Sequence, residues 1–114
     1  MTWAQLHQAS ERAAIDAEAI LRQGDAAAAA RVYAKAAALE CRALAALDIK
    51  KARTRGITAV SAVSLRYKAH EFDAAQQLAG EMLVDSSIPH FAKIDIRDLL
   101  NAIHAERLKF CAAL

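Results

Sequence analysis

The sequence predicts an all-α fold of about five antiparallel helices. Its 114 residues include 3 Gly and 1 Pro, too few for the many turns of a β-rich protein. Between these residues, apolar side chains recur with helical periodicity along nearly the whole chain. The hydrophobic fraction is 56% but the aromatic fraction only 5%, because Ala, the strongest helix former, supplies most of the apolar residues.

The first predicted helix begins after Thr2, because Thr2 and Gln5 have the spacing of a capping box. Gly24 ends this helix, as glycine commonly does just beyond a helix C-terminus. Its apolar stripe comprises Trp3, Leu6, Ser10, Ala13, Ala17, Ile20 and Leu21.

The second predicted helix has Asp25 as its N-cap and stops near Asp48. No strong helix breaker marks that end, and a turn at residues 55–58 is the competing choice. The predicted buried face comprises Ala29, Val32, Tyr33, Ala36, Leu39, Leu44 and Leu47.

Three further helices follow in the prediction. The third runs to about His70 and the fourth from about Phe72 to Val84, while residues 85–89 form the clearest loop and a fifth helix follows Pro89. Their predicted buried residues are Ala59, Val63 and Tyr67, then Ala75, Leu78, Ala79 and Met82, then Ile96, Leu99, Leu100, Ile103 and Phe110.

Size and charge limit the class of protein. At 12.3 kDa the chain fits one domain, residues 1–114, near the lower end of what can bury its own core, which favours association with a partner. The net charge of +2 has no tail of one sign and gives little support for a polyanion partner. Cys41 and Cys111 are isolated, as expected for free thiols in a reducing compartment.

The chain ends and the hydropathy pattern predict a cytoplasmic protein without membrane contact. The N-terminus lacks the basic and apolar regions of a secretory signal. The least polar stretch, residues 25–47, is interrupted by Arg31, Lys35, Glu40 and Arg42, which a spanning helix would not tolerate.

The chain contains an internal repeat. Residues 21–36 align without gaps on residues 67–82, at an offset of 46 residues. Under this offset Ala29 meets Ala75, and Gly24 meets His70. Each copy is therefore expected to be a helix, a tight turn and a second helix that begins with small residues.

The first copy resembles the tetratricopeptide repeat through a short set of residues. These are the small residue in its first helix, the Gly-Asp turn, and the small, aromatic and closing residues of its second helix: Ala17, Gly24, Asp25, Ala29, Tyr33 and Ala36. The second copy departs from the family, with His70, Ala79 and Met82 in place of the turn Gly, the aromatic and the closing Ala. The period is also longer than the family's roughly 34 residues.

This resemblance, which covers residues 9–84, implies a TPR-like right-handed stack of helical hairpins. The hairpins would span about 3–47 and 48–85, and a helix over about 90–112 would cap the stack, as terminal repeats do in such arrays. The alternative is an Ala-rich helical bundle in which the internal repeat arises by chance from the high Ala content.

The resemblance also implies a binding groove lined by the first and third helices. The candidate partner-binding residues are Glu11, Glu18, Arg22, Val60, Ser64 and Lys68. The family's clamp of Lys, Asn and Arg for a C-terminal carboxylate is absent, because Ala14, Glu18, Val60 and Ser64 occupy the expected positions. An ordinary solvated face is the alternative for these residues.

One local basic run consists of Lys50, Lys51, Arg53 and Arg55. A weak nucleic-acid-binding helical module is therefore a further alternative, although the sequence lacks the interleaved aromatics and Gly-rich loops typical of such surfaces.

No metal or catalytic motif is present. The four histidines, His7, His70, His90 and His104, have no metal-ligand spacing and are expected at helix ends or on the surface. No phosphate-binding loop or nucleophile elbow occurs, so we expect no cofactor and no enzymatic activity. The predicted function is an adaptor or chaperone-like subunit that binds a peptide or helix of another protein. The alternative is an assembly subunit that forms a homo-oligomer, for instance a dimer, through its fifth helix.

Overall fold

The computed structural model describes the backbone of residues 1–113 and the side chains of residues 1–109. This part of the chain forms five helices and no strand, so the all-α prediction is confirmed. The helices are α1 (Trp3–Arg22), α2 (Ala26–Ala46), α3 (Ala52–Lys68), α4 (Phe72–Val84) and α5 (His90–Ala113). The side chains of Phe110 and Cys111, to which the sequence assigned a buried position and a free thiol, lie outside the described residues.

The predicted capping box begins α1. The Thr2 hydroxyl accepts a hydrogen bond from the Gln5 backbone N–H at 3.2 Å, and the Gln5 side chain accepts one from the Thr2 N–H at 2.9 Å. These two bonds satisfy donors that a helix N-terminus otherwise leaves unpaired, which fixes the start of the helix at Trp3.

The end of α1 is a Schellman motif at the predicted glycine. Gly24 N donates to Leu21 O at 2.9 Å, and Asp25 N donates to Ile20 O at 3.4 Å. Gly24 has φ 89°, a conformation that costs a residue without a Cβ little energy. The Asp25 side chain then caps α2 by accepting from the backbone N–H of Ala28.

The turn after α3 has the same geometry at the position that aligns with Gly24. His70 N donates to Tyr67 O at 3.0 Å, and Glu71 N donates to Arg66 O at 3.0 Å. His70 has φ 60°, the only positive φ of a residue other than glycine among the described residues. The 46-residue offset therefore superimposes two equivalent turns, and the second one is built on a residue that adopts this conformation at a cost.

The C-terminal end of α2, which no helix breaker marks in the sequence, lies just before Asp48. The helix ends at Ala46, with Leu47 as its C-cap. The alternative prediction of a turn at residues 55–58 is wrong, because these residues lie inside α3. Gly56 is a close-approach residue there, since a Cβ at this position would lie 2.7 Å from Pro89 Cγ and 3.1 Å from Ala92 Cβ.

The helices pack in chain order around α3. The helix α1 packs on α2, α2 on α3, and α3 on both α4 and α5, which also pack on each other. The particle measures 43 × 28 × 17 Å along its principal axes. No helix in the described part of the chain combines the length and the apolar character needed to cross a bilayer.

Two clusters of buried residues form the core. The N-terminal core consists of Ala13, Ala17, Ala29, Tyr33, Ala36, Ala37, Leu65 and Ala69. The C-terminal core consists of Leu44, Ala59, Val63, Ala75, Ala79, Met82, Ile88, Ala92, Ile96 and Ile103. Alanine fills most of the N-terminal core, and the small side chains allow α1 and α2 to make the most extensive backbone contact of any helix pair.

Candidate functional site

A cleft of about 360 Å³ opens beside the α1–α2 turn and the α3–α4 turn, and each turn with its two helices is called a hairpin below. The end of α1, the first turns of α2, the end of α3 and the start of α4 contribute to it, and α5 closes one side. Ala26, Ala29 and Ala30 face the cleft from α2, where their methyl groups leave room that larger side chains would fill. The cleft thus exists because of the Ala-rich beginning of α2.

Three aromatic side chains line the cleft. Tyr33 is 7% exposed, so it belongs to the N-terminal core and also lines the cleft. Tyr67 and Phe72 lie with their ring centroids 6.0 Å apart, and the imidazole of His70 stacks on Phe72 at 5.7 Å. Leu21 adds an aliphatic group that is 47% exposed, although the sequence placed it in the buried stripe of α1. The cleft surface is therefore mainly apolar.

Lys68 supplies a positive charge at this cleft. Its Nζ lies 5.8 Å from the centroid of the Tyr33 ring, within the range of a cation–π contact. Within the part of the chain that the structure describes, no carboxylate lies within ion-pair distance of this ammonium group. Glu106, the acidic residue that also lines the cleft, accepts a hydrogen bond from Lys109 Nζ at 3.1 Å.

The six residues predicted to line a groove do not form one surface, and only Lys68 among them lines the cleft. Lys68 lines the cleft, whereas Glu18 and Arg22 are exposed and form an ion pair with each other at 2.7 Å. Val60 and Ser64 are half-buried on α3. Glu11 is exposed and contacts His7. The sequence did not predict the three aromatics and His70 as a group, because helical periodicity assigned Tyr33 and Tyr67 to the core, while Phe72 and His70 were predicted at helix ends.

The basic run does not form four equivalent free charges. Lys50, Lys51 and Arg53 are exposed. Arg55 is half-buried and donates to Asp85 Oδ2 and to Ser87 Oγ, both at 3.2 Å, in the loop before α5. Hydrogen bonds from Ser87, with the charge of Arg55 added, lower the pKa of Asp85. Arg55 therefore anchors the α4–α5 loop.

Apart from the cleft, the structure contains an ion pair between α1 and α2, in which the carboxylate is buried. Glu40 is 1% exposed, and its two carboxylate oxygens lie 2.9 and 3.1 Å from Nδ1 of His7. The other ring nitrogen of His7, Nε2, lies 3.1 Å from Glu11 Oε1. A carboxylate on each ring nitrogen is satisfied only by the doubly protonated imidazolium, because each nitrogen must then donate.

The protonation of His7 follows from these neighbours. Partial burial lowers the pKa of His7, but the hydrogen bonds and charges of Glu40 and Glu11 outweigh burial and raise the pKa above the ordinary value of 6.5. His7 lies inside α1, so the expectation of a helix-end or surface position is wrong for this residue. The sequence hint was Glu40, the one carboxylate of the second helix, which lies four residues from Ala36 and from Leu44 on the predicted buried face.

Further polar contacts join the same region. The Trp3 ring stacks on His7 at 4.9 Å with 7° between the planes, and Trp3 Nε1 donates to Thr58 Oγ1 at 3.2 Å. Ser10 Oγ donates to the Ala36 carbonyl at 2.9 Å. Every buried polar side-chain atom in the described residues has a hydrogen-bond partner, so this network fixes the position of α1 on α2 and α3.

No group of three or more His, Cys, Asp or Glu side chains among the described residues is arranged to hold a metal ion. The chain was also compared with models of protein families, with curated proteins and with solved structures, and none of the three comparisons gave a match.

Proposed function

We propose that this protein is a non-enzymatic interaction module, an adaptor or chaperone-like subunit, that holds a peptide or helix of a partner protein in the cleft between its hairpins. The observation that carries this proposal is the set of aromatic side chains, Tyr33, Tyr67 and Phe72, around an open cavity of about 360 Å³. Protein interfaces concentrate their binding energy where large apolar anchors enter such pockets.

The size and the position of the cleft support this function. Its volume lies at the lower end of the range for ligand pockets, and it suits one large side chain of a partner better than an extended cofactor. The cleft lies at the junction of two helical hairpins, so its walls are held by core residues such as Ala29 and Tyr33. A rigid, preformed pocket reduces the entropic cost of binding.

A matched pair of substitutions on α2 tests the proposal. Ala30→Phe places a ring in the cleft, whereas Ala27→Phe places the same ring on an exposed position that does not line it. Peptides selected from a displayed library of random 12-residue sequences should bind Ala30→Phe at least about tenfold more weakly, the loss of one buried anchor. Fluorescence anisotropy with a selected peptide measures the two dissociation constants.

Ala27→Phe should bind the peptide as the unmodified chain does. Equal binding by Ala30→Phe, or a library that yields no peptide at all, contradicts the cleft as the binding site.

Self-association is the second candidate function, favoured by exposed apolar residues on α5. Phe91 is 42%, Ile94 47% and Leu108 70% exposed. This function predicts a particle of twice the 12.3 kDa chain mass at high concentration, which Ile94→Asp converts to a monomer because a charge opposes burial of the interface. Light scattering over a dilution series measures the mass, and a constant mass of one chain excludes this candidate.

A further inference from the structure

The two charged side chains that line the cleft differ in whether they have an ion-pair partner, and this difference indicates which ligand charge the cleft favours. Of the two side chains with full charges that line the cleft, Glu106 already has Lys109 as a partner at 3.1 Å. Lys68 has no carboxylate within ion-pair distance in the described residues and is held near the Tyr33 ring instead. A ligand that enters the cleft therefore meets an exposed ammonium group that has no carboxylate partner within the described residues.

The charged groups near the cleft do not change this balance. On α4, Asp73 is paired with Arg107 of α5, and at the α3–α4 turn Glu71 accepts from Arg66 at 2.8 Å. Both carboxylates thus already have an arginine as their ion-pair partner.

The backbone conformation of His70, which also lines the cleft, is a second unusual feature of this region. The equivalent turn after α1 uses Gly24, which adopts a positive φ at little cost, whereas the second turn places an imidazole at φ 60°. Such positions persist where the surrounding structure holds them, and they are concentrated at binding and catalytic sites. His70 stacks on Phe72 and lines the same cleft as Lys68, so its ring nitrogens are a second polar group there.

We propose that the cleft selects a partner segment in which a large apolar side chain is next to a carboxylate. The apolar side chain packs among Tyr33, Tyr67 and Phe72, and the carboxylate pairs with Lys68. This inference rests on the proposed function, because it specifies the occupant of the same cleft.

Binding of two blocked dipeptides to the cleft separates the contribution of the apolar side chain to the affinity from that of the carboxylate. Acetyl-Asp-Phe-amide carries one carboxylate beside a phenyl ring, and acetyl-Asn-Phe-amide has nearly the same shape without the charge. Both are titrated into the ¹⁵N-labelled chain at low salt, and the amide shifts of the residues that line the cleft give the two dissociation constants. The Asp peptide should bind about two- to fivefold more tightly, the difference that a partly exposed ion pair makes.

Lys68→Gln should abolish this preference, and added salt should reduce it. Lys35→Gln is the matched control, because Lys35 is an exposed lysine of α2 that does not line the cleft. It should retain the preference of the unmodified chain.

The outcomes distinguish the two proposals. Equal affinity for both peptides at the cleft overturns the charge selection and leaves the interaction module intact. A preference for the Asp peptide that survives Lys68→Gln overturns the assignment to Lys68. If neither peptide shifts the cleft resonances up to its solubility limit, the cleft is not a site for apolar side chains, and the proposed function fails with it.

Discussion

His7→Ala is expected to destabilise the fold by about 3 kcal/mol, because it leaves a buried carboxylate without its cationic partner. Glu40 is 1% exposed, and His7 Nδ1 is the side-chain donor that reaches its oxygens, at 2.9 and 3.1 Å. The substitution also removes the ring on which Trp3 stacks. Urea denaturation at pH 6, followed by circular dichroism, measures the loss in the free energy of unfolding.

A double-mutant cycle isolates the ion pair. Glu40→Gln removes the buried charge, so His7→Ala should cost clearly less in the Glu40→Gln background than in the unmodified chain. Glu11→Gln is the control, since Glu11 is 63% exposed and its contact with His7 should contribute little. Equal costs of His7→Ala in both backgrounds would show that the pair is not coupled.

The same pair gives the stability a pH dependence with a defined sign. The pKa of His7 is raised in the folded chain, so the folded state binds this proton more tightly than the unfolded state. Its contribution is fully present below the unfolded value of 6.5 and is lost as the pH rises through the folded pKa. Glu40→Gln should flatten this dependence, and an unchanged slope would place the titrating group elsewhere.

Gly56→Ala is expected to destabilise the chain by about 2 kcal/mol even though alanine is the better helix former. The added Cβ would lie 2.7 Å from Pro89 Cγ and 3.1 Å from Ala92 Cβ, and the rigid proline ring cannot rotate away. The α3–α5 contact must then open, and the measurement is again the free energy of unfolding in urea.

Gly80→Ala is the matched control for this substitution. Gly80 also lies inside a helix, but a Cβ there meets nothing within 4 Å. It should stabilise the chain by about 0.5–1 kcal/mol through helix propensity alone. Opposite signs for the two substitutions confirm that space, not backbone conformation, requires glycine at position 56, whereas a stabilising Gly56→Ala would contradict the close approach.

Local signals in the sequence were sufficient for the number of helices and for most of their ends, but not for the boundary between α2 and α3. Thr2 with Gln5 predicted the start of α1, and Gly24 with Asp25 predicted the turn to α2, because caps and tight turns depend on residues within a few positions of each other. The offset that aligns Gly24 with His70 also identified two turns of equal geometry. Membership of the tetratricopeptide family stays a prediction from the resemblance.

The candidate site was largely beyond prediction. Of the residues proposed for binding, Lys68 lines the cleft. The sequence predicts Tyr33 and Tyr67 to be core residues and Phe72 to begin a helix, yet all three line the cleft. An apolar residue at a helical period looks the same in the sequence whether it packs against a neighbouring helix or faces a gap between two hairpins. The difference depends on how closely the hairpins approach.

Helix positions, caps and the apolar faces were therefore readable from the chain, since they arise from interactions between residues close in sequence. The ion pair of His7 with Glu40, the need for glycine at position 56, and the cleft beside Lys68 arose from contacts between residues far apart in sequence. Such contacts depend on the distances and angles between packed helices, and periodicity carries no information about these.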